Sequence, residues 1–169
     1  MDLIAYALVI AFALLVIVAA LKDVTSFTIP NWISAALIVA FFAGAAAAKM
    51  PPAGIGMAAA VGVCALVAGM ALFAFNIIGG GDAKLLAAVA LWMSWPAILP
   101  FLLATALAGG VLALVLIQLR SDMMKTYLAR GPAWVGRLAA AADAPYGLAI
   151  AIGALVTLPQ SPLVLHLAG

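Results

Sequence analysis

With 169 residues, 70% of them hydrophobic and only 7% charged, and a mean hydropathy of +1.37, the chain lacks the polar surface that a soluble globule of this size needs. It is expected to be an all-α, polytopic membrane protein forming one embedded domain over residues 1–169, with no nucleic acid partner; the net charge of only +2 says little by itself, so the placement of the charges matters more. The lone cysteine, Cys64, lies in an apolar run, which excludes a disulfide framework and a CxxC zinc site, so no metal and no other cofactor is expected.

About 20 apolar residues cross a bilayer core as a helix. The first such run, Leu3 to Leu21, has no basic residue ahead of it and no small-residue cleavage site behind it, and reads as a retained span. Asn31 to about Ala48 is the second, opened by "TIPN" and closed by "KMPPAG". Gly54 to about Ile78 is the third. Leu85 to Leu119 carries no charge and is too long for one ordinary span, so "SWP" at Ser94 to Pro96 divides it into a short fourth span and a fifth. A polar segment, Arg120 to Asp143, precedes the sixth span from Pro145 to about Leu165. Fold class and topology are therefore about six transmembrane helices.

Orientation follows the loop lysines and arginines. Loops after odd-numbered spans carry Lys22, Lys84, Arg120, Lys125, Arg130 and Arg137, whereas loops after even-numbered spans carry only Lys49. The odd-loop side is read as cytoplasmic, with both chain ends outside. Asp23 ends the first span and Asp82 opens the fourth, so both emerge on this same face.

There is no glutamate, and the five acids are Asp2, Asp23, Asp82, Asp122 and Asp143. A carboxylate near the membrane is costly, roughly 2.5 to 3.5 kcal/mol at a helix centre and less towards the ends. On the plainer reading Asp23 and Asp82 sit at helix ends within reach of water, with Gly79 to Gly81 ending the third span and Asp82 capping the fourth. On the functional reading, two carboxyls in a semi-dry site share one proton, since like charges a few ångströms apart cannot both ionise cheaply. One then acts as base towards a water and the other as acid towards a carbonyl oxygen or leaving amine. The glycines suit a close approach to an extended peptide, and they permit positive φ.

The residues also carry a resemblance. "KDVTSFTIPNW", Lys22 to Trp32, looks like the first catalytic region of type IV prepilin peptidases; "GGGDAKLLAA", Gly79 to Ala88, resembles their Gly-x-Gly-Asp region; and "APYGLAIAIG", Ala144 to Gly153, resembles their third signature. The three blocks occur in the family's order. The resemblance implies an intramembrane aspartyl endopeptidase with Asp23 and Asp82 as the catalytic pair and Gly79 and Gly81 as the motif glycines. It also puts Pro30, Asn31, Lys84, Pro145, Tyr146 and Gly147 among the motif or substrate-binding positions. The implied partner is a prepilin or pseudopilin, its basic leader in the cytoplasm and its apolar helix in membrane lipid. The short form is most similar to the class that serves Flp-type pili of tight-adherence systems, at the bacterial inner membrane. Only a short link separates Leu21 from Asn31, where larger members carry a cysteine-rich insertion, so no methyltransferase domain is expected.

Other polar residues are weaker candidates. Asp122 reads as solvated charge, Asp143 as a cap for the sixth span, and the 120–143 segment as either an interfacial helix or a plain loop. His166 is expected across the membrane from both aspartates. Trp32, Trp92 and Trp95 read as interfacial anchors, and Lys84 as either tuning a carboxylate or reaching lipid phosphate. The alternatives are a proton-coupled transporter, whose carboxylates usually sit near the midplane, a presenilin-like protease, and a non-catalytic assembly subunit that would tolerate loss of either aspartate.

Overall fold

The structure is a computed structural model that describes residues 2–121 and 144–168. Asp122, Lys125, Arg130, Arg137 and Asp143, and with them the choice between interfacial helix and loop, lie outside the described residues. Helices α1 (Asp2–Ser26), α2 (Asn31–Ala47), α3 (Pro52–Ala74), α4 (Gly80–Leu119) and α5 (Tyr146–Thr157) are followed by a 3-10 turn at Leu158–Gln160 and a short α6 (Pro162–Ala168). The protein is thus an all-helical, polytopic membrane protein. Leu3–Ser26, Pro52–Ala74, Gly80–Leu119 and Tyr146–Ala168 are long and apolar enough to cross a bilayer, and the apolar Asn31–Ala47 is shorter.

Prolines set the starts of α2 and α3, as the sequence suggests: Pro30 and Pro51 sit in extended geometry just before the first turn, and Pro52 occupies the first turn itself. α1 runs a full turn beyond the expected Leu21, so Asp23 belongs to its last turns rather than to a loop. At the end of α3 the left-handed residue is Asn76 (φ 56), and no described glycine has positive φ. The expectation that Gly79 to Gly81 end the third span, using their conformational freedom, is therefore corrected. Asparagine tolerates this turn because its short polar side chain suits the left-handed region.

α4 is two arms. Its backbone leaves helical geometry at Ser94 (φ 47, ψ −167) and Trp95 (φ −93, ψ 135), where "SWP" was expected to divide two spans. The second arm runs back beside the first. Met93 meets Thr157 and Trp92 meets Ser161 at one level, Thr105 lies against Gly153 and Gly109 against Ala149 further along, and Leu116 shares a cavity with Asp82 and Tyr146 at the other level. The described chain therefore crosses six times between two faces. Asp23 and Asp82 mark one face. Lys49 and His166 mark the other, where the His166 ring is hydrogen-bonded to the Ala48 carbonyl oxygen at 3.0 Å.

Close packing without a hydrophobic driving force between helices calls for small residues. α3 uses Gly62 against Leu91 and Gly69 against Ala83 to lie on the first arm of α4. The centre of the bundle is aromatic. Trp92 is fully buried, with ring centroids 4.6 Å from Phe12 and 5.8 Å from Phe41, and its Nε1 donates to the Leu37 carbonyl oxygen at 2.9 Å. Trp92 is thus a core residue and no interfacial anchor, whereas Trp32 (57%) and Trp95 (55%) are exposed. The Ser161 hydroxyl donates to the Trp92 carbonyl oxygen at 2.7 Å, so one residue joins α2, α4 and the turn before α6.

Candidate active site

The site face gathers the ends of four crossings and the start of a fifth helix around a cavity of about 580 Å³. Asp23 enters from α1 and Asp82 from the first turn of α4. Asn76, Ile77, Ile78 and Gly79 contribute the link between α3 and α4. Ala113, Leu116, Ile117 and Arg120 close the far wall from the end of the second arm, and Ala144 and Tyr146 bound it at the start of α5. Phe27 and Phe73 complete an apolar rim.

Both carboxylates are buried, at 5% exposure for Asp23 and 7% for Asp82. Each is oriented by the backbone of a glycine. Asp82 is the third helical residue of α4, and its Oδ2 accepts the Gly79 N–H at 3.1 Å, the reach-back half of a capping box. Asp23 Oδ2 accepts the Gly147 N–H from the first turn of α5 at 2.6 Å. The two carboxylates line the same cavity. Asp82 Oδ1 is buried and has no hydrogen-bond partner among the described residues, which leaves it available to a water or a substrate group.

The glycines act by leaving room. A Cβ on Gly81 would stand 3.2 Å from the Ile29 Cβ, and one on Gly79 would stand 3.0 Å from Asp82 Oδ2. The motif therefore lets the start of α4 lie directly on the α1–α2 link while its aspartate folds back on its own cap.

The other expected site residues divide into two groups. Tyr146 and Gly79 line the cavity, and Gly147 holds Asp23. Pro30, Asn31, Lys84, Gly81 and Pro145 stand behind the walls. Pro30 and Pro145 precede the first turns of α2 and α5. Lys84 does something that neither expectation described: its Nζ donates to Asn31 Oδ1 at 2.9 Å, tying the start of α4 to the start of α2.

Sequence reasoning passed over Arg120, Leu116, Ile117 and Phe73 as cavity residues. The available signal was the fold-back at "SWP", which returns the end of the second arm to the level of Asp82. Among the described residues no group of three or more His, Cys, Asp or Glu side chains could hold a metal ion.

Neither a curated protein nor a solved structure matches the chain. The sequence profile described as the type IV leader peptidase family matches residues 10–114, a stretch that includes both aspartates and stops before Tyr146 and Gly147.

Proposed function

Because the chain belongs to the type IV leader peptidase family, we propose that it is an aspartyl endopeptidase of the membrane, with Asp23 and Asp82 as its catalytic pair and a prepilin or pseudopilin as its substrate. The observation that carries this reading is the convergence of two buried carboxyl groups from separate helices on one cavity. In the mechanism that fits, one aspartate accepts a proton from a water as its oxygen attacks the scissile carbonyl carbon. The other aspartate, protonated, donates to the carbonyl oxygen. Collapse of the tetrahedral intermediate passes a proton to the leaving amine and frees the leader. This chemistry needs no metal and no nucleophilic side chain.

A membrane substrate is favoured by the make-up of the cavity. Leu116, Ile117 and Phe73 in the lining suit apolar residues of a substrate, and Asn76, Tyr146 and Arg120 add polar groups to the same lining. The basic residues Lys22, Lys84 and Arg120 belong to the aspartate face and Lys49 to the other, which supports a cytoplasmic site at the inner membrane of a bacterium. Flp-type prepilins of tight-adherence systems are the proposed substrates, and no methyl transfer is assigned to the chain.

Co-expression with candidate Flp-type prepilins tests the reading. Leader removal, seen as a mobility shift and confirmed by sequencing the new N-terminus, is expected for at least one of them. Failure to process any matched prepilin, with the protein inserted and abundant, would refute the assignment.

Sidedness has its own test. In a Cys64→Ser background, a cysteine introduced beside Lys125 is expected to resist a membrane-impermeant maleimide added to intact cells and to react once the membrane is opened. Strong labelling from outside would move the active site to the opposite face.

A further inference from the structure

Resting on the reading of Asp23 as one of the catalytic pair, we infer that Gly147 is a positioning residue for the Asp23 carboxylate. It acts through its backbone donor and through the side chain it lacks. Gly147 belongs to the first turn of α5, behind the buried Pro145 and far along the chain from either aspartate. Its N–H donates to Asp23 Oδ2 at 2.6 Å, across 124 positions of chain.

The N–H alone does not explain glycine, because any residue except proline supplies one. Backbone conformation does not explain it either, since no described glycine has positive φ. Space does. A Cβ at this position would lie 2.8 Å from Asp23 Oδ2, 3.1 Å from Asp23 Cβ and 2.7 Å from Ile29 Cδ1. The carboxylate occupies the volume that any side chain would need, so the missing Cβ and the donated N–H fix the same oxygen from one residue.

Ile29 gives the arrangement its wider logic. It touches Gly147 on one side and Gly81 on the other, so the α1–α2 link, the start of α4 and the start of α5 all meet at this side chain. The first turn of α5 thereby sets where Asp23 stands relative to Asp82, without touching substrate.

A structural role and a positioning role separate in kinetics. On the purified full chain with a prepilin substrate, Gly147→Ala is expected to lower kcat about 100-fold, the scale of an ångström's misplacement of a catalytic group, with KM changed less than about threefold. Ile29→Val trims the Cδ1 that the new methyl group would strike and leaves the contact with Asp23 in place. Alone, Ile29→Val is expected to keep kcat within about threefold of wild type. Combined with Gly147→Ala, it is expected to recover thermal stability while kcat stays low, and this double variant carries the comparison if the single glycine variant is too unstable to purify. Recovery of kcat in the double variant would overturn the inference, because the defect would then be packing against Ile29. An equal loss of kcat in Ile29→Val alone would overturn it as well. A wild-type protein that cleaves no prepilin would instead refute the proposed function, so the two failures are distinct.

Discussion

Asp23→Asn and Asp82→Asn are each expected to abolish leader removal, with a loss of at least about 10³-fold, while the protein still inserts and accumulates. The size of the effect follows from the role. General acid–base groups contribute roughly 10² to 10⁴-fold each, and in a pair that divides one proton the loss of either member disables both steps. Asparagine nearly preserves the volume of aspartate, and its amide can neither accept a proton from water nor deliver one. Some geometry should survive the exchange: in Asp82→Asn the amide oxygen can still accept the Gly79 N–H, and in Asp23→Asn it can still accept the Gly147 N–H. Insertion and folding should therefore be close to normal, which isolates chemistry from stability. Asp122→Asn should change cleavage less than about twofold. For the wild type, cleavage plotted against pH should be bell-shaped, its two limits belonging to the pair rather than to either residue. Membranes holding equal amounts of each variant and a matched prepilin supply the measurement. Near-normal cleavage by either asparagine variant would remove the pair from the mechanism.

The parts of this site that the sequence made legible are those written in rare residue types. In a chain with so few charges, two aspartates at span ends, a run of glycines and "PYG" stand out against the apolar background, and the crossings can be drawn by following charge and proline. What the sequence hid is packing. Lipid tails are as apolar as a protein core, so hydropathy carries no signal for which face of a membrane helix is buried. Trp92 shows the consequence: beside "SWP" it resembles an anchor at the bilayer surface, yet it fills the centre of the bundle between Phe12 and Phe41. Arg120 and Leu116 were passed over for a different reason, although the division at "SWP" carried the signal. Their place beside Asp82 depends on the direction of the second arm of α4, which is set at Ser94 and Trp95, far from the cavity. The tie from Lys84 to Asn31 was not legible either, because Asn31 lies on a helix that only the fold brings near.

Equal substitutions at neighbouring glycines should give unequal results. Gly80→Val and Gly81→Val put the same β-branched side chain into the first turn of α4, so intrinsic helix preference cancels between them. The surroundings differ. A Cβ on Gly80 meets the Phe73 ring at 3.4 Å, and that side chain is half exposed and free to swing aside. A Cβ on Gly81 meets the Ile29 Cβ at 3.2 Å, with the Ile29 backbone N and O each at 3.5 Å, so valine's branches must push on main chain. The link that gives way is the one joining α1 to α2, which begins after Ser26 at the end of the helix that carries Asp23, and its displacement moves one carboxylate away from the other. Gly81→Val is expected to lower cleavage by about 10- to 100-fold, in keeping with an ångström-scale shift at a reacting centre, and to reduce stability by about 1–3 kcal/mol through overpacking. Gly80→Val is expected to stay within about threefold of wild type. The comparison is made on protein normalised for insertion, using leader removal for activity and thermal unfolding in detergent for stability. Equal losses at the two positions would mean that the glycines serve a general need for a slender helix start. A selective loss at Gly81 would tie the second glycine of Gly-x-Gly-Asp to one steric task, letting the helix that carries Asp82 rest against the link that follows Asp23.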